Sequence, residues 1–152
     1  MPLHQYVYFA LTSNSTTAQE ITAWLGIEPD ETTVRGSRRT GPPTLPASHR
    51  WKIVCRDPGL RVDEQIARIL DRLRPHTDRI AEVAARLSAE EEEGGAAVLE
   101  VVRYFNDDDA PQVAAASDQS DLFGWHLDHD VLGFLAATGA ALDIDEYDMT
   151  SE

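Results

Sequence analysis

The residues of this sequence whose types and spacing could support acid–base chemistry lie in its closing stretch, Leu142-Asp-Ile-Asp-Glu-Tyr147. On a β-strand, Asp143 and Asp145 share one face, about 6.5–7 Å apart along the strand, and Tyr147 follows them on that face. Two carboxylates at this separation suit general acid–base catalysis on a glycoside. No nucleophile or oxyanion motif accompanies them, so we interpret this strand and the following Asp148 as a solvated or partner-binding surface.

A small basic loop, Arg35-Gly-Ser-Arg38-Arg39, is the second candidate site. Guanidinium groups bind phosphates and carboxylates through paired, charge-assisted hydrogen bonds. The loop lacks the glycine and lysine spacing of a phosphate-binding loop. Two interpretations therefore stay open. Either Arg35, Arg38 and Arg39 bind an anionic ligand, or they pair within the protein with its acidic C-terminal third.

The string His126-Leu-Asp128-His129-Asp130 has the composition of a metal site, because imidazole and carboxylate groups bind zinc and similar ions. If a strand leads into a helix here, His126 and Asp128 share a face while His129 turns into the helix. An aspartate at such a junction is typical of a helix N-cap. We therefore predict that Asp128 or Asp130 caps a helix, and we expect no metal or other cofactor.

The charge of the chain is unevenly distributed along the sequence. The net charge at pH 7 is −14, and residues 94–152 contribute −12 of it with Arg103 as their only base, whereas residues 1–56 carry +2. Such a field repels phosphates, which argues against a nucleic-acid partner. A basic protein partner is favoured instead, because opposite charges raise the rate of encounter.

Hydrophobic periodicity predicts the elements that must position these groups. Long strands are expected at 3–11, 50–56, 97–105 and 142–147, and short strands at 32–35 and 122–127. Helices are expected at 17–25, 62–74, 76–88 and 130–138. The order β-α-β-β-α-α-β-β-α-β predicts an α+β fold with one antiparallel or mixed sheet and helices on one face, related to ferredoxin-like arrangements. The expected core includes Trp24, Ile66, Leu70, Val101 and Leu135.

The ends of the helices carry recognisable signals. Thr16 with Gln19, or Thr17 with Glu20, can form a capping box at the start of the first helix. Gly26 and Gly139 stand where left-handed C-caps are expected after the first and last helices.

The composition is that of a globular domain, since 152 residues with 42% hydrophobic content can bury a core. We assign residues 1–147 to one domain and 148–152 to a C-terminal tail. The single cysteine, Cys55, forms no internal disulfide and is expected as a small buried hydrophobe, which suits a reducing cytoplasm. No apolar run reaches 18 residues and no signal-peptide pattern is present, so we expect a cytoplasmic protein without a membrane partner.

Four segments of the chain form a recognisable set: the N-terminal strand, the helix ending Trp24-Leu-Gly-Ile-Glu-Pro29, the arginine and glycine loop before Trp51, and the closing strand Leu142–Tyr147. Together they resemble an uncharacterised bacterial family known only as a domain of unknown function. The resemblance implies a small stand-alone α+β protein. It implies no catalytic residue.

Together these observations predict a non-enzymatic protein that binds a basic protein partner through an acidic surface, as a regulatory or immunity protein does. One alternative is a small-molecule-binding protein or enzyme that uses the Arg35–Arg39 loop and the face of Asp143 and Asp145. A deep pocket joining that loop to the two aspartates would favour it. The other alternative is a self-associating structural protein.

Overall fold

A computed structural model describes residues 2–36, 48–90, 96–109 and 122–151 of the chain. A short 3-10 turn, Arg74–His76, joins the second and third helices at Pro75. The elements in chain order are β1 (Leu3–Ser13), α1 (Ala18–Leu25), β2 (Glu31–Thr33), β3 (His49–Cys55), α2 (Val62–Leu73), α3 (Thr77–Ala89), β4 (Ala97–Phe105), α4 (His129–Thr138) and β5 (Ala141–Asp148).

The strands form one mixed sheet in the order β2-β3-β1-β4-β5. The long central strand β1 pairs antiparallel with β3 and with β4, and β2 pairs antiparallel with β3. The edge strand β5 runs parallel to β4, which it reaches through the crossover helix α4. The predicted α+β class with one mixed sheet is confirmed.

The main core lies between the sheet and the helices. Alternate residues of β1, Val7, Phe9 and Leu11, are fully buried there. Phe9 also makes an edge contact with Phe134 of α4, with ring centroids 5.5 Å apart. Helices cover this face of the sheet, as predicted.

The predicted core is confirmed at four positions, Ile66, Leu70, Val101 and Leu135, which are all buried. The prediction for Trp24 is wrong, because its ring is only partly buried at the margin of the core. The guanidinium carbon of Arg86 lies 3.9 Å from the Trp24 ring centroid. The Arg86 guanidinium contacts the face of the Trp24 ring where we expected apolar side chains, which is favourable because the ring quadrupole attracts a cation.

Side-chain caps define the ends of α1 and α4. Thr17 and Glu20 form the capping box of α1: the Thr17 hydroxyl accepts from the Glu20 amide at 3.2 Å, and the Glu20 carboxylate accepts from the Thr17 amide at 3.0 Å. Gly26 and Gly139 end these helices in the left-handed conformation, with φ of 72° and 67°. These caps agree with the sequence prediction.

The predicted strand at 122–127 is wrong, because this segment has no strand pairing. Leu122 is buried, and its carbonyl and that of Phe123 accept hydrogen bonds from Arg103 at 3.2 and 3.3 Å. Trp125 and Leu127 pack against the main core. The segment's apolar pattern therefore reflects side-chain packing, while a buried guanidinium satisfies the backbone carbonyls that a strand neighbour would otherwise bind.

Candidate functional site

The candidate site lies on the surface of the sheet opposite the helices, which we call the open face. Because side chains alternate along a strand, this surface receives every second residue of β1, β3, β4 and β5. No helix of the described ranges packs on it. Tyr8, Ala10 and Val102 are buried here, packed against neighbouring side chains of the sheet.

Aromatic rings form a continuous stripe along the middle of the open face. Tyr6 stacks with Tyr8 at 6.3 Å between ring centroids, and His4 stacks with Tyr104 at 5.6 Å. Tyr104 in turn stacks with Tyr147 at 5.2 Å, which extends the stripe onto β5. Burial, with a smaller contribution from Tyr104, raises the pKa of Tyr6 to about 12, so its hydroxyl stays neutral. These rings form an ordered amphipathic platform.

Cations line the β3 side of this platform. The Arg56 guanidinium lies 4.1 Å from the Tyr6 ring centroid, and the Lys52 ammonium lies 4.4 Å from that of Tyr8. Arg56 also pairs with Glu31 of β2 at 3.1 Å. These contacts place the cations over aromatic faces, where the ring quadrupole attracts them.

Acidic side chains form the opposite, β5 side of the open face. Asp143, Asp145 and Tyr147 share this face and are exposed, as the spacing predicted. Glu100 of β4 is the register partner of Asp143, yet it is only 5% exposed. The open face therefore changes from cationic to anionic across its aromatic stripe.

Glu100 has an unusual environment. Burial is the largest cause that raises its pKa, to about 8, and the neighbouring carboxylates of Asp145 and then Asp143 raise it further. Glu100 therefore holds a proton at neutral pH. Its Oε1 atom is buried and has no hydrogen-bond partner in the described ranges. The only signal in the sequence was that Glu100 is one of two charged residues, with Arg103, in a strand that is otherwise largely apolar.

A cleft of about 580 Å³ opens beside these carboxylates. Its acidic wall consists of Glu100, Asp143 and Asp145, and the turn between α4 and β5 closes one end. Tyr8 and Arg50 line the opposite side. The arginine that the fold brings to the two aspartates is thus Arg50 of β3, which the sequence did not single out.

The predicted basic loop is described only in part. The Arg35 guanidinium donates to the Asn14 carbonyl at 3.2 Å, and its amide donates to Nδ1 of His49 at 3.0 Å. Arg35 does not belong to the described lining of the cleft. Arg38 and Arg39 lie outside the described residues, so both interpretations of the loop stay predictions.

The residues of the string His126–Asp130 have separate structural roles and do not converge on one point. Asp128 caps α4 as predicted: its Oδ1 accepts from the Val131 amide at 3.0 Å. Nδ1 of His126 lies 3.1 Å from Oδ2 of Asp63, and His129 is exposed on the first turn of α4. Within the ranges that the structure describes, no three His, Cys, Asp or Glu side chains are arranged to hold a metal. Cys55 is buried, as predicted.

Asp148 differs from the other acidic residues of β5. It pairs with Phe105 in the sheet register, and its Oδ1 accepts from Nδ2 of Asn106 at 2.8 Å and from the Thr150 amide at 3.0 Å. Hydrogen bonds from Thr150 and Asn106 lower the pKa of Asp148. The Met149 amide also donates to the Phe105 carbonyl at 2.8 Å. Asp148 therefore holds the end of β5 to β4.

Arg103, the only base after residue 93, is buried on the helix side of β4. Its Nε donates to Gln5 at 3.0 Å, and its Nη1 lies 3.4 Å from Glu146. Burial lowers the pKa of Arg103, while Glu146 opposes that shift. Because Arg103 points away from the open face, it does not pair with Asp143 or Asp145.

Comparison with known proteins identifies a family. No helix in the described parts of the chain is long and apolar enough to cross a membrane. Neither a curated protein nor a solved structure matches the chain. Residues 3–149 match the family model described as Domain of unknown function (DUF4279). This match covers nearly the whole sequence, including β1, the loop before Trp51 and β5, and the chain therefore belongs to the DUF4279 family.

Proposed function

We propose that this protein is a non-enzymatic binding protein that recognises a basic protein partner through the open face. The observation that carries the proposal is the exposed acidic side of that face, where Asp143, Asp145 and Tyr147 project together from β5. This exposed acidic surface sets no limit on the size of the partner, but its charge favours a basic one. A regulatory or immunity-type role in the cytoplasm belongs to this proposal, with neither nucleic acid nor membrane as the partner.

The composition of the open face supports a macromolecular partner. Interfaces are enriched in tyrosine and arginine, which combine apolar contact area with hydrogen-bonding groups. Here Tyr147 is 47% exposed at the acidic margin, and it stacks on Tyr104 behind it. An exposed ring held by a second ring loses little conformational freedom when a partner covers it.

The charge of the acidic side supports a basic partner. Arg103 is turned to the helix side of the sheet, so no base of the C-terminal third lies among Asp143, Asp145 and Tyr147. Attraction across such a surface is screened beyond about 8–10 Å at physiological salt. Association with a basic partner should therefore slow as salt rises, with a smaller change in dissociation.

The test is a comparison of two charge-reversal variants. We expect Asp143→Lys/Asp145→Lys to lose a protein that the wild type captures from its native host. The matched control Glu28→Lys/Asp71→Lys has the same net charge change at exposed positions away from the open face, and it should retain that protein. The association rate of the purified pair should then fall with salt. Retention by the β5 variant, or association indifferent to salt, would overturn the proposal.

A small-molecule-binding protein or enzyme is the second candidate, and the cleft beside Glu100 favours it. A protonated carboxyl group next to two ionised ones can donate and accept protons. Among the described residues of its lining there is no histidine, cysteine or lysine to serve as nucleophile or base. This second candidate predicts that a host metabolite co-purifies with the wild type and is absent from the Glu100→Gln variant.

A further inference from the structure

The cleft concentrates three carboxyl groups from two adjacent strands. Glu100 of β4 and Asp143 of β5 are register partners, and Asp145 follows Asp143 on the same face. Asp143 and Asp145 are exposed, whereas Glu100 has only 5% of its surface accessible. The acidic wall of the cleft therefore combines two exposed carboxylates with one nearly buried carboxyl group.

The Glu100 carboxyl group lacks one hydrogen-bond partner. Oε1 of Glu100 is buried and unpartnered in the described ranges. The protonated carboxyl group hydrogen-bonds to Asp145 and Asp143 of β5, so Oε1 is the part of it that is left unpaired. Buried polar atoms are almost always hydrogen-bonded, since leaving one unpaired costs its full desolvation free energy. Because Glu100 lines the cleft, a donor group of a ligand that enters the cleft would supply the missing partner of Oε1 once the side chain rotates towards it.

The other residues that line the cleft indicate which chemical groups the ligand carries. Arg50 stands on the other side of the cleft, near Tyr8, so an anionic group is favoured there and a cationic group is favoured beside Glu100. Gly139, Ala140 and Ala141 add a wall with small or absent side chains. A chain that places a cation against Glu100 and a carbonyl near Arg50 satisfies both sides. A lysine or arginine residue within a polypeptide has these groups.

We propose that this cleft receives the ammonium or guanidinium group of a lysine or arginine side chain from the basic partner, which binds Glu100, Asp143 and Asp145 together. The proposal rests on the proposed function and makes it more specific: charge brings the partner to the open face, and one inserted cation anchors it.

Insertion of a cation is linked to the release of a proton. The titratable groups facing the cleft are Glu100, Asp143, Asp145, Tyr8 and Arg50. Burial raises the pKa of the Tyr8 hydroxyl, so Tyr8 stays neutral. Burial and the neighbouring aspartates raise the pKa of Glu100 to about 8, so Glu100 titrates near neutral pH. Because a cation favours the ionised form, binding should strengthen as pH rises and level off above that pKa.

The probe is N-acetyl-arginine amide, with N-acetyl-citrulline amide as the neutral analogue of the same shape. Calorimetry on the full chain should show about tenfold tighter binding of the arginine compound at pH 8.5 than at pH 6.5, with proton release. The citrulline compound should bind at least about tenfold more weakly at pH 8.5. Equal binding of both compounds, binding indifferent to pH, or no binding at all would overturn the proposal.

Two variants separate this inference from the function on which it rests. Glu100→Gln keeps the shape and removes the titration, so the pH dependence should disappear, whereas the exposed control Glu28→Gln should behave as the wild type. The wild-type titration needs no variant, so a failure of Glu100→Gln to fold leaves the proposal testable. If the native partner binds Glu100→Gln as tightly as the wild type but is lost by Asp143→Lys/Asp145→Lys, the cleft proposal fails and the proposed function stands. If neither variant weakens the partner, both fail.

Discussion

Glu100 and Arg103 lie on the same strand, both 5% exposed, yet they have opposite environments. Arg103 points to the helix side, where Gln5, Glu146 and the carbonyls of Leu122 and Phe123 receive its donors. Glu100 points to the open face, where its neighbours are two further carboxylates and its Oε1 has no partner in the described ranges.

Because Glu100 and Arg103 are equally buried, burial alone does not identify a functional residue. A buried charge with a complete set of partners contributes to the fold, because its desolvation is compensated by hydrogen bonds. Glu100 has an incomplete set: its carboxyl group hydrogen-bonds to Asp145 and Asp143 but leaves the buried Oε1 unpaired, and an unpaired buried polar atom costs free energy.

Replacing Arg103 should have the largest effect. Arg103→Ala leaves Gln5 and two carbonyl groups without their donor, so we expect the free energy of unfolding to fall by about 3–5 kcal/mol. Urea unfolding measures this loss. Arg103→Lys keeps the charge but loses the planar guanidinium group, so its free energy of unfolding should lie between those of the wild type and Arg103→Ala. A loss below about 1 kcal/mol for the alanine variant would show that the Arg103 network is not structural.

Replacing Glu100 should instead stabilise the protein at high pH. The folded pKa of about 8 lies above the ordinary value of 4.5, so the folded state holds a proton that the unfolded state releases between these values. This contribution is complete below pH 4.5 and is lost as pH rises to 8. Wild-type stability should therefore fall by about 2 kcal/mol between pH 6 and pH 9. In Glu100→Gln the fall should be absent. Urea unfolding at several pH values measures the free energy of unfolding of both proteins. The same change of this free energy with pH in the wild type and in Glu100→Gln would contradict the prediction.

The aspartates of β5 should control the pKa of Glu100. Asp145→Asn removes the larger neighbouring cause and should lower the Glu100 pKa more than Asp143→Asn does. Carboxyl-carbon NMR against pH measures each shift. Glu146→Gln is the matched control, because Glu146 lies on the same strand but faces Arg103, and it should leave the Glu100 titration unchanged. An equal shift in the control would mean that general field effects dominate.

The exposed pair on the open face should have the smallest effect. Glu31 and Arg56 are both substantially solvated, so Glu31→Gln should change the free energy of unfolding by no more than about 0.5 kcal/mol. Thermal or urea unfolding at low and high salt measures it. A larger loss would mean that this edge of the sheet depends on Glu31 in the way that the helix side depends on Arg103.

Periodicity predicted most of the elements, because the buried residues of β1 and the apolar stripes of the helices follow the repeat of each structure. The alternation of β5 also predicted that Asp143, Asp145 and Tyr147 share a face. It did not predict that Glu100 joins them, since that depends on the parallel register between β4 and β5. No local signal in the sequence encodes that register, because β4 and β5 are distant in the chain and are joined by a crossover connection.

Packing also explains the one misassigned strand. Leu122, Trp125 and Leu127 have an apolar pattern that suits a strand. Leu122 is buried and the other two pack partly buried against the core, while Arg103 binds the nearby carbonyls. The pairing of the loop of Arg35, Arg38 and Arg39 with the acidic face stays a prediction. Strand pairing places Arg50 beside that face, which the sequence did not indicate, because β3 and β4 both flank β1.

The position of β5 at the edge of the sheet has a consequence for aggregation. An edge strand presents unpaired backbone groups that can template the addition of a strand from another copy. In β5 an exposed Ile144 would make such pairing favourable, but it stands between Asp143 and Asp145. Two copies meeting at this edge would bring like charges together, and a charge on either side of an apolar residue is a common natural protection against β-aggregation. The same carboxylates that form the binding surface thus also keep the edge from extending into a larger sheet.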